Sequence, residues 1–274
     1  MKLIKPNVTE VKDFEGVDNF YKAVARAARI CYASDKTTDD KKLVERLIKS
    51  GHFSPFEHAI IYVPFDIREY RSFPIQKMIN SKYAIIKSNC PIYALNGRLI
   101  IENLLIDKYL PIQNLDNFLE FLKQFELDTH LLKSFIVDTS IGCTREINRH
   151  HDNFYICEQS TRYCNFSKDK FGGEISINEP YWFDNEEYFN KTFSYWDYSI
   201  QVAEKQYLDA LKAGVPTDIA RGILPLDTHT RAIYTATLEE WQHFIDLRLK
   251  GVTGKPHGDI MIIADKIDKL IHHK

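Results

Sequence analysis

Residues 148–163, with the sequence NRHHDNFYICEQSTRY, concentrate side chains that can bind an anion. The donors suited to a phosphate are two planar guanidinium groups and two hydroxyl groups: Arg149, Arg162, Ser160 and Thr161. Glu158 can accept a hydrogen bond from a base or a ribose hydroxyl, and Tyr155 and Tyr163 can stack or pack. The alternative interpretation is a surface loop whose charges are simply solvated.

A second cluster, GHFSPFEH, lies between the end of a predicted helix and the start of a predicted strand. It contains His52, Ser54, Glu57 and His58, a set that can contact a ligand or simply form a turn. Its histidines and glutamate suggest a metal ion, and so does the HHD run at 150–152. No further ligands stand at a spacing typical of metal sites, and adjacent side chains seldom bind one ion together. We therefore predict no metal.

The third cluster, ARGILPLDTHTRAIYTATLEEWQHFIDLR, contains two arginines that can hold a ligand. Arg221 follows a short predicted helix. Arg248 shares one face of a later predicted helix with Trp241 and Phe244. An arginine on an apolar face either extends to water or holds a buried partner. Taken alone, this cluster favours the first interpretation, the end of an amphipathic helix.

The composition excludes several classes of protein. The 274 residues include 36 basic and 38 acidic side chains, and because nucleic-acid binding needs a basic excess, we expect no nucleic-acid partner. No apolar run approaches the ~18 residues of a membrane span, so we expect no membrane association. Five cysteines without a C-x-x-C pair favour a reducing compartment. The first residues, MKLIKPNVTE, lack the apolar segment of a secretion signal, so we expect a cytoplasmic protein.

The order of predicted elements favours an α+β fold, in which helices flank one mainly antiparallel sheet. The predicted helices are NFYKAVARAARIC, DDKKLVERLIKSGH, GRLIIENLLI, LDNFLEFLKQF, DNEEYFNKTFSYWDYSIQVAEKQYLDALKAG and TLEEWQHFIDLRLK. The predicted strands are EHAIIYVPFDI, KSFIVDTSI, GGEISINEP and THTRAIYTAT. With no linker or internal repeat, we expect a single domain over 1–274, with a middle section at about 70–132.

Particular residues are predicted to begin and end these helices. Asp39 and Asp116 are predicted N-caps of the second and fourth helices, and Gly51 ends the second. Thr237, with Glu240 three residues later, predicts a capping box at the start of the last helix.

Three motifs occur in order along the chain: GHFSPFEHAIIYVPF, RHHDNFYICEQSTRYCNFSKDKFG and ARGILPLDTHTRAIYTATLEEWQHFIDLR. Together they resemble the flavin-dependent thymidylate synthases, whose signature runs Arg-His-Arg and then, after a short gap, Glu-x-Ser-x-Arg. The residues that match this signature are Arg149, His150, Glu158, Ser160 and Arg162. His151 stands where the signature has its second arginine, and Thr237 and Glu239 stand where the family has asparagine and arginine.

The resemblance implies a ThyX-like fold with a family-variable middle section, and a homotetramer whose active sites combine several subunits. It implies bound FAD, hydride from NADPH, and transfer of a one-carbon unit from methylenetetrahydrofolate to C5 of dUMP. The residues implied to contact dUMP lie in the segments 146–149 and 158–162 and at two later arginines: Glu146, Arg149, Glu158, Gln159, Ser160, Thr161, Arg162, Arg221 and Arg248 are the principal ones. Those implied to meet the flavin are His52, Ser54, Glu57, Arg149, His150, His151, Thr237, Glu239 and His243. Arg248 is implied to be the catalytic arginine.

This chemistry agrees with the residue types. Uracil C5 is a poor nucleophile until negative charge is drawn into the ring, and a fixed guanidinium group can stabilise that charge in a dry site. The chain has neither G-x-G-x-x-G nor G-x-x-x-x-G-K-[ST], so arginines and loops would hold a nucleotide. Two other functions stay open: C5 methylation or hydroxymethylation of another pyrimidine nucleotide, and nucleotide binding without catalysis.

Overall fold

The computed structural model describes residues 1–34, 38–64, 84–86, 92–106, 114–150 and 154–272. A four-stranded antiparallel sheet with the order β2-β6-β9-β7 forms the centre of this part of the chain. Its strands are β2 (Asn7–Val11), β6 (Leu132–Ser140), β7 (Tyr155–Glu158) and β9 (His229–Thr237). β6 and β9 pair along their whole length, from Leu132 opposite Thr237 to Ser140 opposite His229.

Two smaller sheets accompany the central one. β3 (Ile60–Pro64), β4 (Ala84–Ile86) and β5 (Ile92–Asn96) form an antiparallel sheet with the order β3-β5-β4. β1 (Lys2–Ile4) pairs in parallel with β8 (Ser176–Asn178). The expected α+β class is confirmed, but the expectation of one sheet is wrong. Apolar runs indicate strands without specifying their partners, and β3 pairs in a separate sheet.

Helices cover both faces of the central sheet. The helices of the described residues are α1 (Phe20–Tyr32), α2 (Asp40–Ser50), α3 (Gly97–Ile106), α4 (Asn114–Lys123), α5 (Ile141–Ile147), α6 (Glu186–Lys212), α7 (Thr217–Ala220), α8 (Leu238–Arg248) and α9 (Gly258–His272). One face packs against α1 through Cys157 and Ile233. The other packs against α8 and α9 through Phe135 and Tyr234. Successive residues of β9 therefore contribute to different cores.

Most predicted helix boundaries are confirmed. The Asp39 side chain accepts the amide proton of Lys42 at 3.1 Å, and Gly51 ends α2 in the left-handed conformation with φ +68°. Thr237 accepts the amide proton of Glu240 at 3.2 Å, as the capping box predicts.

The predicted N-cap role of Asp116 is wrong, because this residue lies inside the first turn of α4. Its carboxylate instead accepts hydrogen bonds from the Tyr21 hydroxyl at 2.6 Å and the Lys41 amine at 2.5 Å. Asp116 thus connects α4 to α1 and α2. None of the helices that the structure describes has both the length and the apolar character needed to cross a membrane.

Candidate active site

Glu158 ends β7, and its carboxylate is held by two side chains from the segment around α5. The Thr144 hydroxyl donates to Oε1 at 2.9 Å, and the Asn148 amide donates to Oε2 at 3.5 Å. Asn148 in turn accepts a hydrogen bond from the Tyr234 hydroxyl at 3.1 Å. Burial raises the pKa of Glu158 above its ordinary value. Glu158 is therefore a fixed acceptor with little access to water.

Arg248 lies in the last turn of α8, where its guanidinium group makes three contacts. Nε donates to Nε2 of His150 at 3.3 Å, and one terminal nitrogen donates to the Glu146 carbonyl oxygen at 3.3 Å. The other terminal nitrogen lies 3.7 Å from the Glu146 carboxylate, and the side chain is only 17% exposed. Arg248 therefore holds partners inside the protein and does not simply extend to water.

His150 is a neutral imidazole at pH 7. Burial, together with the positive charge of Arg248 and the presence of His243, lowers its pKa to about 4. Because Arg248 donates to Nε2, that nitrogen is the acceptor and Nδ1 carries the proton. The His150 ring also packs against Phe154 and Phe244, with ring centroids 5.7 and 5.3 Å away.

His52, Ser54 and Tyr32 form a second hydrogen-bonded group. Nδ1 of His52 lies 2.8 Å from the Tyr32 hydroxyl, and Nε2 lies 3.2 Å from the Ser54 hydroxyl. Burial lowers the pKa of His52, which favours the neutral ring. The Tyr32 ring centroid lies 5.4 Å from that of Tyr163, and the Arg162 guanidinium lies 5.6 Å from the Tyr163 centroid. These contacts connect the end of the signature to the first motif.

Glu57 is close to this second group, but its carboxylate already has a partner. Arg98 donates to Glu57 at 2.6 Å through one terminal nitrogen and to Glu102 at 2.7 Å through Nε. Any ligand that Glu57 contacts would share this carboxylate with Arg98.

The residues after β7 are fixed mainly through their backbone. The Gln159 amide donates to the Arg231 carbonyl oxygen at 2.8 Å, and the Ser160 amide donates to the Cys31 carbonyl oxygen at 2.9 Å. Thr161 is half-buried. Three of the arginines implied to contact dUMP are exposed: Arg149, Arg162 and Arg221. They are therefore available to an anion from solvent.

The remaining predicted flavin contacts lie at the start and middle of α8. The Thr237 hydroxyl is occupied by its capping bond to Glu240. Glu239 and His243 are exposed, and the His243 ring centroid lies 5.9 Å from that of His150. His151 lies outside the described residues.

The structure separates the predicted flavin contacts into two groups on opposite faces of the central sheet. The first group, His52, Ser54 and Glu57, accompanies the core that contains Phe56 and Cys157. The second group, His150 and His243, lies with Arg248 beside the core that contains Phe154 and Phe244. β7 lies between the two groups, and among the strands that the structure describes it pairs only with β9 and is therefore an edge strand.

Two residues that hold the site were not predicted from the sequence: Thr144 and Tyr234. Asn148 lies within the segment 146–149 that the resemblance implies to contact dUMP, and in the structure its side chain holds Glu158. Tyr234 could have been found from the alternation of β9, because its position faces the same side of the sheet as the α8 core. Within the part of the chain that the structure describes, no three His, Cys, Asp or Glu side chains converge as a metal site would require.

The fold and the site define an α+β protein with a buried arginine-histidine-glutamate cluster beside exposed arginines. The family model for Thy1, described as thymidylate synthase complementing protein, matches residues 16–73 and 127–274. The chain therefore belongs to the Thy1 family.

Curated relatives carry the name flavin-dependent thymidylate synthase. The Aquifex aeolicus (strain VF5) protein is 24% identical over 307 aligned positions, which cover 92% of this chain and 94% of the relative. The Synechocystis sp. protein is 36% identical over 72 residues, 26% of this chain and 32% of the relative. This chain thus spans about a third of the Synechocystis protein and most of the Aquifex protein. A Streptomyces cacaoi UMP/dUMP methylase, PolB, bound with 5-Br UMP, has 17% identity and a TM-score of 0.49, with 99% and 91% of the two chains covered.

Proposed function

We propose that this protein is a flavin-dependent thymidylate synthase, which converts dUMP to dTMP. Methylenetetrahydrofolate would be the one-carbon donor and NADPH the reductant. Membership of the Thy1 family supports C5 methylation of dUMP in general terms. The structural observation that carries the proposal is the position of Arg248, whose guanidinium is held by His150 and Glu146 in a largely buried site.

Arg248 is suited to stabilise negative charge that develops on the uracil ring. Its planar group is fixed before the substrate arrives, so little reorganisation is needed during the reaction. Because His150 is neutral, it orients the guanidinium without adding a second positive charge. Glu158, held by Thr144 and Asn148, would accept a hydrogen bond from the nucleotide and fix its orientation.

The exposed arginines would bind the 5′-phosphate. Arg149 and Arg221 reach solvent, and Arg162 extends over the ring of Tyr163. Bidentate contact between guanidinium and phosphate adds geometric specificity as well as affinity. These contacts are present in both the bound ground state and the transition state, so they would serve binding more than the chemical step.

The residues present fit an isoalloxazine ring, which needs hydrogen-bond donors for its ring acceptors. The protonated Nδ1 of His150 makes no hydrogen bond within the described residues and can donate to a ring acceptor. Phe154 and Phe244 are buried and pack against the His150 ring, which fixes the orientation of this donor. His52 and Ser54 would hold a second part of the cofactor. When bound, the flavin would supply the hydride that completes the methyl group.

The test is dTMP formation by the purified protein with dUMP, FAD, NADPH and methylenetetrahydrofolate. Growth of a thymidine-requiring host without thymidine provides a second test. A band of protein-bound flavin, measured on the purified protein or after FAD addition and removal of unbound FAD, would exclude the alternative of a nucleotide-binding protein that has lost its flavin. UMP and dCMP in place of dUMP test C5 modification of other pyrimidine nucleotides. Absence of dTMP from well-folded, flavin-loaded protein would contradict the proposal.

A further inference from the structure

A cavity of about 670 Å³ lies on the face of the central sheet that α1 covers, opposite the face that carries Arg248. α1 contributes Arg26, Arg29 and Ile30 to its wall, and β9 contributes Arg231. The volume falls in the range of roughly 300–1,000 Å³ typical of small-molecule sites. The cavity is thus large enough for a nucleotide, and its wall contains neither Arg248 nor Glu158.

The wall of this cavity carries more positive than negative charge. Its basic side chains are Lys2, Lys22, Arg26, Arg29, Lys170 and Arg231. Two carboxylates, Asp40 and Glu174, share the wall, and Asp13 and Asp138 bind some of the arginines from outside the lining. Six basic groups therefore face four acidic ones, which leaves an excess of two positive charges.

Arg231 is fixed in a way that favours an anionic ligand. Its Nε and one terminal nitrogen donate to the two oxygens of Asp138 at 2.8 and 3.1 Å. The Arg231 side chain nevertheless stays 53% exposed. Because Asp138 holds one edge of the planar group, the other terminal nitrogen can donate to a ligand without further ordering of the side chain.

Lys170 and Lys2 carry positive charges that have no carboxylate as an ion-pair partner within the described residues. Lys170 donates to the carbonyl oxygens of Tyr32 and Ala33, at 3.4 and 3.1 Å, at the end of α1. Its amine also lies 4.8 Å from the ring centroid of Phe171. Lys2 is exposed on β1. Neutral carbonyl groups do not cancel the charge of Lys170, so it can still attract an anion.

The wall also has an apolar part, formed by Ile4, Ile30, Ala33, Ile136, Phe166 and Phe171, while Ser34, Gln159, Gly172, Ser176 and His229 complete it. We infer that this cavity binds a small molecule with an anionic oxygen group and an aromatic body, at a site separate from that of Arg248. The anionic group would contact Arg231 and Lys170, and the aromatic body would pack against Phe166 or Phe171. Two sources share this chemistry: the phosphate of a nucleotide and the carboxylates of an aromatic amide such as p-aminobenzoylglutamate.

The inference goes beyond the proposed function and stands on the cavity itself. The backbone bond from Gln159, which also lines the cavity, to Arg231 connects this site to the signature segment. A ligand here would therefore contact residues next to Glu158 and Ser160 without occupying their position.

The test variant is the double substitution Lys2→Gln and Lys170→Gln, which removes both charges and keeps the paired arginines. The matched control is Lys5→Gln with Lys168→Gln, because these exposed lysines lie two or three residues from Lys170 and Lys2 but outside the cavity wall. Calorimetric titrations use dTMP, p-aminobenzoylglutamate and inorganic phosphate as separate probes. We expect about tenfold weaker binding of one aromatic probe at this site in the test variant and normal binding in the control. The aromatic probe that binds more tightly shows whether the site prefers a phosphate or a carboxylate, and inorganic phosphate should bind more weakly than either aromatic probe.

Lysine acetylation followed by mass spectrometry locates the bound probe. The probe should protect Lys2 and Lys170 of the wild-type protein, but not Lys5 or Lys168. Equal affinity in the test and control variants would overturn the inference, and so would unchanged acetylation of Lys170. These measurements need no turnover, so they can succeed even where dTMP synthesis fails.

Discussion

At the scale of single residues, the geometry of Arg248 predicts how a conservative substitution behaves. Lysine keeps the positive charge but cannot contact His150 and Glu146 in one plane. We expect Arg248→Lys to lower the rate of the chemical step by roughly 10²–10³-fold, or about 3–4 kcal/mol, while dUMP binding changes less. Single-turnover flavin oxidation at saturating dUMP measures this step. A normal rate would remove Arg248 from the mechanism.

Arg162→Lys is the matched comparison for Arg248→Lys. Arg162 is exposed, and its guanidinium packs against Tyr163. A phosphate contact that is equally strong in the ground and transition states changes KM more than kcat. We expect Arg162→Lys to raise the KM for dUMP and to leave the single-turnover rate nearly normal. A large fall in that rate would place Arg162 in the chemical step instead.

His58 makes the stability of the fold depend on pH. Its side chain is fully buried, with Nδ1 2.9 Å from the Thr235 hydroxyl, and burial lowers its pKa from 6.5 to about 3. As the pH falls below 6.5, the unfolded chain binds a proton that the folded protein does not, so the folded state loses stability. Between pH 5.5 and 4.5 this loss should approach roughly 1.4 kcal/mol per pH unit.

Urea unfolding of the wild type and of His58→Gln, at several pH values, isolates this contribution. The glutamine variant retains a polar group near Thr235 but cannot titrate. We expect the difference in unfolding free energy between the two proteins to shrink as the pH falls. Parallel pH profiles would mean that His58 has the same pKa in the folded and unfolded chains.

At the scale of elements, Thr237 has a structural role that its place in the third motif does not reveal. Its hydroxyl caps α8, the helix that carries Arg248. We expect Thr237→Ala to lower the free energy of unfolding by about 1 kcal/mol, whereas Thr237→Asn, which keeps a capping oxygen, should stay near wild-type stability. Thermal unfolding of both variants measures this. If Thr237→Ala were as stable as Thr237→Asn but bound FAD more weakly, the main role of Thr237 would be contact with the cofactor and not capping of α8.

The sequence predicts elements better where their signals are local. Asp39 and Gly51 mark α2 because capping depends on a few neighbouring residues. β7 was missed since it has only four residues and lies within a polar segment, and it becomes a strand only by pairing with β9, far along the chain. α9 was also missed, although Ile260, Ile263 and Ile267 recur at helical spacing.

Prediction of the site from the sequence is likewise limited to local patterns. Motif residues could be identified one by one, but their convergence could not, because 98 positions separate Arg248 from His150. The partners Asn148 and Tyr234 are selected by sheet register and helix docking. These are properties of the folded chain rather than of any local pattern.

At the scale of the whole molecule, the central sheet separates residues that one flavin is expected to contact. His52 and Ser54 lie on the α1 side, while His150 and His243 lie on the α8 side. A cofactor held by a single chain would have to pass around the edge strand β7. A cofactor held between chains could meet one group from each subunit. A cofactor held between chains requires an oligomer, which agrees with the homotetramer that the resemblance implies.

We therefore predict a homotetramer in which each site takes its two groups from different subunits. His52→Ala and Arg248→Ala should each be inactive alone, because one damages the first group and the other the second. After co-expression in equal amounts, a site has about one chance in four of receiving both intact groups, so about a quarter of wild-type activity should return. Light scattering gives the mass of each assembly. The control is a mixture of the separately purified variants under conditions without subunit exchange, which should stay inactive. A mass near that of one chain would contradict shared sites. No recovery of activity in verified mixed tetramers would also contradict them, since a site built within one chain always retains one of the two substitutions.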